Sequence, residues 1–152
     1  MSKTRHRLEA EQAASIGHLS TRVGRTLSLA ALQAVQEAGF PEVRESWLPL
    51  LQHLEEGGLR STVLAERIGV TKQAIHQMLK EVERAGYCER VADPTDGRAQ
   101  LVQLSTLGWK AWKKGLKVMK ALENDLEAEL GASRLERLRR DLAMMERALS
   151  AR

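Results

Sequence analysis

Cysteine is nearly absent from this chain of 152 residues: Cys88 is the only one, so no disulfide can form within the chain. No apolar run approaches the roughly 20 residues that span a bilayer. The charged start of the chain also lacks the apolar stretch that a signal peptide requires. These absences predict a soluble, cytoplasmic protein without a membrane partner.

The residue patterns of common enzymes and metal sites are missing as well. The four histidines show no metal-ligand spacing, and Cys88 belongs to no cluster of cysteine and histidine. There is no Gly-rich phosphate loop and no nucleophile elbow, and Asp93 and Asp96 are better explained as turn residues than as an acid–base pair. We therefore expect no metal, no cofactor and no catalytic residue. Cys88 is more simply a small buried residue than a redox switch.

Aromatic residues make up only 3% of the chain, and three of them are tryptophans. Trp109 and Trp112 lie in the stretch WKAWKKGLKVMK, where four lysines occupy one helical face and the tryptophans another. A solvated basic face over a buried tryptophan stripe explains this pattern better than a helix on a membrane surface. Trp47, Trp109 and Trp112 could alternatively line a ligand cavity, although core packing is the simpler interpretation.

Positive charge is concentrated in one part of the chain. The net charge is +4, and residues 61–120 hold eleven Lys and Arg against six Asp and Glu, whereas the segments on either side are close to neutral. A protein that binds a polyanion needs such a segment. On charge alone, a solvated basic face without a ligand is the alternative.

Apolar residues at three- and four-residue steps predict a succession of helices. Ser46, Ser105 and Ser133 are placed to cap three of them, the last within a capping box. The helices are expected over 9–38, 46–55, 62–68, 71–86, 106–130 and from Ser133 onward.

The stretch STVLAERIGVTKQAIHQMLKEVERAGY, residues 61–87, has the pattern of a helix-turn-helix. Ala65 is small enough for two helices to cross, and Gly69 follows four residues later at the turn. The inward positions around them are apolar, namely Leu64, Ile68, Val70, Ile75 and Met78. An ordinary helical hairpin with a glycine turn is the alternative.

If those apolar residues face inward, the opposite face of the second helix is open and contains no carboxylate. Glutamine can pair bidentately with adenine and lysine can donate to guanine, so this face suits DNA better than a merely solvated surface. Its members are Thr71, Lys72, Gln73, His76, Gln77 and Lys80.

The stretch CERVADPTDGRAQLVQL, residues 88–104, predicts a β-hairpin that would form a wing beside the recognition helix. Asp96-Gly97 is a strong hairpin-turn signal, because Gly97 can adopt a positive φ. Arg98 at the tip could enter the minor groove, and Arg90 is a candidate partner for a phosphate. The Asp96 carboxylate could hold the turn or orient Arg98 through a charge-assisted bond.

With these features in place, residues 64–108 closely resemble the MarR family of bacterial winged helix-turn-helix regulators. The matching features are the Asp-Pro-x-Asp-Gly-Arg wing, the apolar strand after it, and the Leu-Ser-x-x-Gly start of the next helix. The resemblance implies a homodimer joined by the N- and C-terminal helices and bound to a near-palindromic operator. It also implies repression that is relieved by a small ligand or by oxidation.

The sequence thus predicts a mainly α fold with a small β-hairpin wing. A DNA-binding region over 41–106 would lie between dimerisation helices over 1–40 and 107–152, whose apolar stripes have few neighbours within one chain. The function expected is that of a ligand-responsive repressor of transcription. An architectural DNA-binding protein without an effector is the first alternative, and a small enzyme is the second, which is disfavoured because no base and nucleophile can be paired.

Overall fold

The computed structural model describes residues 2–54 and 57–151. The described chain is mainly helical, and its two strands form one antiparallel hairpin. This confirms the predicted fold class. In order, the elements are α1 (Ser2–Ala14), α2 (Ile16–Glu37), a 3-10 turn (Glu45–Trp47), α3 (Leu48–His53), α4 (Ser61–Ile68), α5 (Lys72–Arg84), β1 (Cys88–Asp93), β2 (Asp96–Leu104), α6 (Thr106–Leu130) and α7 (Ala132–Ser150).

A single hydrophobic cluster joins the end of α2 to the hairpin and the start of α6. Leu64, Ile75, Leu79, Val82 and Val102 have no exposed surface at all. Full burial of one such side chain contributes on the order of 1.5–3 kcal/mol. The cluster therefore holds α4, α5 and the base of the hairpin together.

The turn between α4 and α5 has the geometry that the sequence predicts. Gly69 ends α4 in the left-handed conformation (φ 76°, ψ 32°), and its N–H donates to the Ala65 carbonyl at 3.0 Å. A residue with a side chain is disfavoured in that conformation. Thr71 then caps α5, since its Oγ1 accepts the Ala74 N–H at 3.1 Å. The helix-turn-helix is confirmed, with α5 beginning one residue and ending two residues inside the expected range.

The expected helix over 9–38 is wrong at its start, because two helices occupy this region. The chain breaks at Ser15, whose Oγ accepts the His18 N–H at 3.3 Å and so caps α2. In α1, the helix before the break, residues 5–9 and 11–14 are all exposed, and ion pairs join Arg5 to Glu9 and Arg7 to Glu11. A helix without an apolar face gives no periodic signal, which is why its extent was missed.

Two of the three predicted serine caps are wrong. Ser46 lies within the 3-10 turn, and the α-helix begins only at Leu48, where Pro49 fits the first turn because it has no N–H to leave unpaired. The predicted end of this helix at Glu55 lies outside the described residues. Ser133 lies inside α7, which begins directly after Gly131 (φ 84°). Ser105 does cap α6, because its Oγ accepts the Gly108 N–H at 3.0 Å.

The hairpin turns two residues earlier than predicted. Asp93 pairs with Asp96 across the end of the ladder, so Pro94 and Thr95 form the turn, and Gly97 lies in β2 without a positive φ. The reason is local: Asp93 Oδ1 accepts both the N–H of Thr95 at 2.8 Å and its hydroxyl at 2.6 Å. An aspartate that bonds two residues ahead, followed by proline, favours the turn at this earlier position.

A short segment before α4 extends the hairpin sideways. Leu59 pairs with Val102 of β2 through two backbone hydrogen bonds of 2.9 and 2.8 Å. Gly58 (φ 76°) lies so close to β2 that a Cβ would stand 2.9 Å from the Val102 carbonyl oxygen. This close approach requires glycine, and it adds a third chain segment to a hairpin that would be marginal alone.

The internal contacts of the chain divide it into residues 1–116 and residues 117–152, with the boundary inside α6. In the second unit, Leu135 is buried, and Arg139 donates to Glu123 at 2.8 Å across the two helices. Among the described residues, no helix combines the length and apolar character needed to cross a membrane. The predicted division at residues 40 and 106 stays a prediction.

Candidate nucleic-acid interface

The two sides of α5 differ sharply. Ile75, Leu79 and Val82 point into the core and are fully buried. Six polar residues on the other side are all exposed, as the sequence predicts, and none of them carries a negative charge. We call this set the reading surface: Thr71, Lys72, Gln73, His76, Gln77 and Lys80.

Two side chains of the reading surface are already oriented by the helix. The His76 Nδ1 lies 2.6 Å from the Lys72 carbonyl oxygen, so this nitrogen must carry the proton that it donates. In the neutral ring the Nε2 is then an acceptor. Gln77 donates from its Nε2 to Glu81 Oε1 at 3.1 Å, which leaves its amide oxygen free to accept.

In three other members of the reading surface, the polar group of the side chain has no partner among the described residues. Within the part of the chain that the structure describes, Lys72, Gln73 and Lys80 form no side-chain hydrogen bond and no ion pair. Unpaired cations and amides can bind a ligand without first losing a partner inside the protein. The surface therefore offers two cations, two amides and an imidazole acceptor along about two helical turns.

In the hairpin, the two predicted arginines have different surroundings. Arg98 lies in β2 just past the turn, exposed, and its guanidinium has no partner among the described residues. Arg90 in β1 donates from Nε to Glu83 of α5 at 2.6 Å. Both line a shallow cleft of about 420 Å³ between the hairpin and the start of α4, which Ser61 and Gln100 also border. Arg98 is thus available to an anion, whereas Arg90 is shared with a carboxylate.

The Asp96 carboxylate bonds to the backbone N–H of Arg98 and not to the Arg98 guanidinium. Its Oδ1 accepts the Arg98 N–H at 3.2 Å, and its Oδ2 accepts from Arg60 Nη2 at 3.4 Å. Of the two roles predicted for this carboxylate, the contacts favour holding the turn. Gly97 does not contribute through a special backbone conformation.

The sequence reasoning missed Arg60. This residue directly precedes α4 and reaches the hairpin turn, where Nε and Nη2 lie 2.8 and 2.6 Å from Asp93 Oδ2. Asp93 is buried, and its hydrogen bonds from the Thr95 hydroxyl and N–H, followed by those from Arg60, lower its pKa to about 2. An arginine just before a helix-turn-helix, with two carboxylates at the wing, is the signal that could have indicated this pair.

The tryptophans proposed as cavity residues pack in or against the core. Trp47 is buried beside Tyr87, with ring centroids 5.8 Å apart, and its Nε1 has no acceptor among the described residues. Trp109 and Trp112 are half-buried and meet edge to face at 5.3 Å. Core packing, the simpler of the two interpretations, accounts for these contacts.

Neither reactive cysteine chemistry nor a metal centre stands out in this region. Cys88 is buried, and burial, with a smaller effect from Glu83, raises the pKa of its thiol to about 12. The thiolate, which is the reactive form, is then scarce at neutral pH. No group of three or more His, Cys, Asp or Glu side chains that could hold a metal ion occurs within residues 2–54 and 57–151.

A helix-turn-helix followed at once by a hairpin that packs on it defines a winged-helix DNA-binding protein. Residues 43–99 match the model of the MarR family. The chain is 30% identical over 129 residues to the HTH-type transcriptional repressor Rv2887 of Mycobacterium tuberculosis (strain ATCC 25618 / H37Rv), with 85% of this chain and 91% of that protein covered. The chain belongs to the MarR family: it is a DNA-binding transcription regulator and not an enzyme.

Solved structures agree with this fold. A MarR family transcription regulator, SP03579, superposes with a TM-score of 0.70 at 19% identity, over 99% of this chain and 94% of its own. PcaV of Streptomyces coelicolor, in complex with its natural ligand, has a TM-score of 0.63 at 24% identity, over 92% and 95% of the two chains. MepR of S. aureus, bound to ethidium bromide, has a TM-score of 0.60 at 20% identity, over 89% and 96%.

Proposed function

We propose that this regulator represses transcription by binding a near-palindromic operator as a homodimer, with the start of α5 in the major groove. The observation that carries the proposal is the reading surface, which is exposed, free of carboxylates and set on a helix whose other side is fully buried. A rigid helix with donors and acceptors on its open face suits base edges in the major groove. Since the ligand is chromosomal DNA, we place the protein in the cytoplasm.

The wing supplies the second contact in this proposal. When α5 occupies the major groove, the hairpin beside it reaches the adjacent minor groove, where negative potential favours an arginine. Arg98 is exposed and its guanidinium is unpaired among the described residues, so it is the candidate for that groove. Arg90 is the candidate for a phosphate, and binding there requires it to share or leave Glu83.

Repression and response to a small molecule are supported by relatives. Rv2887 is named a transcriptional repressor, and the PcaV and MepR structures hold a natural ligand and ethidium bromide. In this chain Trp47, Trp109 and Trp112 remain the candidates for ligand contacts. A titration of tryptophan fluorescence with ethidium and other planar aromatic cations tests this, and a compound that quenches the fluorescence should also release the operator. A panel without any such compound would favour an architectural DNA-binding protein.

The DNA proposal is tested by selecting bound sequences from random duplexes with the full-length chain. We expect an enriched near-palindrome, whereas an architectural protein would return no palindrome. Gln73→Ala and Gln77→Ala should each weaken binding to the selected operator by about 1–3 kcal/mol for a bidentate contact, and weaken binding to random DNA far less.

A matched control for these variants lies on α2. Gln33 donates to Glu37 at 2.9 Å, a pair with the same four-residue spacing as Gln77 and Glu81. Gln33→Ala removes an equivalent helix-surface pair away from α5 and should leave operator affinity unchanged. Equal losses on operator and random DNA for both glutamines would remove the reading surface as the source of specificity.

A further inference from the structure

Three successive residues before α4 connect the helix-turn-helix to the wing, and we call this segment, Gly58–Arg60, the strap. Its middle residue, Leu59, adds to the edge of β2 through two backbone hydrogen bonds to Val102. Its first residue lies against β2 without room for a side chain. The base of the wing is therefore held by backbone contacts that do not depend on any side chain of the strap.

Among the described residues, one side chain joins the outer end of the wing to the start of α4, that of Arg60. Its guanidinium reaches two carboxylates on opposite sides of the hairpin turn, at 2.6 Å from Asp93 Oδ2 and 3.4 Å from Asp96 Oδ2. Arg60 is also the N-cap residue of α4, in extended backbone conformation. One residue thus joins the first helix of the helix-turn-helix to the turn of the wing.

The two oxygens of Asp93 have separate tasks. Oδ1 accepts the N–H and the hydroxyl of Thr95, which forms the turn, whereas among the described residues Oδ2 accepts only from Arg60. Asp96 divides in the same way, with Oδ1 on the Arg98 N–H and Oδ2 on Arg60. A path of direct bonds therefore runs from Arg60 through Asp96 to the backbone of Arg98.

We infer that Arg60 is a positioning residue for DNA binding: it fixes the wing relative to α4 and α5 and thereby aims Arg98 at the groove. The inference rests on the proposed function, because it requires Arg98 to contact DNA. An arginine neutralised by two carboxylates is a poor phosphate ligand, so Arg60 acts through Arg98 and not by a contact of its own. Without the Arg60 side chain, the base of the wing stays in place but its tip is free to move. Binding must then order the tip, and the entropy cost of this ordering offsets the free energy that the Arg98 contact contributes.

The test uses the full-length chain and the operator selected from random DNA, with affinity measured by fluorescence anisotropy at several salt concentrations. Because the proposed homodimer has two copies of Arg98, Arg98→Ala should weaken operator binding roughly 5- to 100-fold per protomer and reduce the salt slope by about 1 per protomer, which is about 2 for the dimer. Arg60→Gln should do the same, and the double variant should be no weaker than either single variant. Arg60→Lys should recover part of the loss, because an ammonium can still reach Asp93. Arg22→Gln, which removes an exposed cation on α2, should have no effect.

Asp93→Asn distinguishes positioning of the wing by Arg60 from a simple effect of charge, because the two explanations predict opposite changes in operator affinity. The side-chain amide of this variant keeps an oxygen that can accept from Thr95, so the turn survives. Its NH2 group faces the guanidinium of Arg60, so the bond between Arg60 and residue 93 is broken. Loss of a negative charge near DNA would by itself strengthen binding. If Arg60 positions the wing, Asp93→Asn should instead weaken operator binding and should add nothing to Arg98→Ala.

Each other outcome contradicts a defined part of the inference. Additive losses, with a salt slope reduced by about 2 per protomer (about 4 for the dimer) in the double variant, would mean that Arg60 binds a phosphate directly. A lower melting temperature with unchanged operator affinity, measured well below that temperature, would leave Arg60 a purely structural role. If Arg98→Ala itself binds as tightly as the wild type, the proposed wing contact fails, and the fault lies with the proposed function and not with the strap.

Discussion

Within the described part of the chain, Asp93 is the one buried charged side chain. Because it bonds to the hairpin turn and to Arg60, the dependence of stability on acid pH reports on the wing. The Asp93 pKa of about 2 in the folded chain lies below the ordinary value of 3.8. A carboxyl with a lowered folded pKa stabilises the fold fully above its unfolded pKa. That contribution is lost as the pH falls from about 3.8 toward 2.

We therefore predict that Asp93→Asn is destabilising at neutral pH and that its disadvantage shrinks on acidification. Urea unfolding of both proteins between pH 6 and about 2 measures this. The two free energies of unfolding should converge as the pH falls from about 3.8 to about 2, because the unfolded wild-type chain then binds a proton at Asp93 that the folded chain, with Asp93 bonded to Thr95 and Arg60, binds only near pH 2. A difference that stays constant across the whole range would show that the Asp93 charge contributes nothing to folding.

Among the elements, α6 depends on a close approach to the junction of α5 and β1. A Cβ at Gly108 would stand 1.9 Å from the Tyr87 carbonyl oxygen, a distance that no real Cβ adopts. Gly108 is buried, and backbone atoms cannot yield as a flexible side chain can. The Leu-Ser-x-x-Gly pattern at the start of α6 thus includes a glycine that the packing requires.

Gly108→Ala should consequently lower the free energy of unfolding by about 1–3 kcal/mol or more through overpacking. Gly115 in the same helix is the matched control, because its added Cβ would lie 3.6 Å from Val35 Cγ2, an ordinary contact. Gly115→Ala should stabilise the protein by roughly 0.5–1 kcal/mol, as expected for alanine within a helix. Urea midpoints of the three proteins provide the measurement. Equal changes in both variants would mean that α6 can shift away from Tyr87 at little cost.

The elements also show where prediction from sequence succeeds. The helix-turn-helix was predicted closely because each role within it, such as the left-handed Gly69 or the buried Ile75, depends on residues a few positions away. The polar helix α1 was underestimated because periodicity reports only helices that have an apolar face. The hairpin turn was misplaced by two residues because the sequence contains two neighbouring turn signals, Asp93-Pro94 and Asp96-Gly97. The Asp93 side chain bonds to Thr95 and so favours the first.

The strap was missed for a different reason. Arg60 and Asp93 are 33 residues apart, and their contact follows from the pairing of Leu59 with Val102, which no local pattern contains. Likewise, the bond between Arg90 and Glu83 joins β1 to α5 and changes what the arginine is free to do. The exposure of the six residues of the reading surface, by contrast, was predicted correctly, because burial of one side of a helix determines the exposure of the other. Their role on DNA stays a prediction.

At the scale of the whole molecule, apolar side chains remain exposed on both terminal regions. On α2, Ile16, Leu19 and Val23 are 57%, 42% and 55% exposed, although they follow one another at helical spacing. On α7, Leu138, Leu142 and Leu149 form a similar stripe. Such stripes favour a homodimer that buries them, and the two-fold symmetry of that dimer would match the two-fold symmetry of the proposed operator.

We predict that Leu142→Glu weakens or abolishes the dimer, because a symmetric interface would meet the buried charge twice. Met144→Glu is the control: it makes the same charge change in the same helix, but lies about 200° around the axis from Leu142 and is 60% exposed. Sedimentation at several concentrations should show a dimer for the wild type and Met144→Glu, and a monomer or a concentration-dependent mixture for Leu142→Glu. On DNA, the dissociated variant should bind a single half-site with the affinity of one wild-type protomer. It should no longer bind the full palindrome more tightly than it binds a single half-site. A Leu142→Glu protein that stays dimeric, while Met144→Glu dissociates, would place the interface on the opposite face of α7.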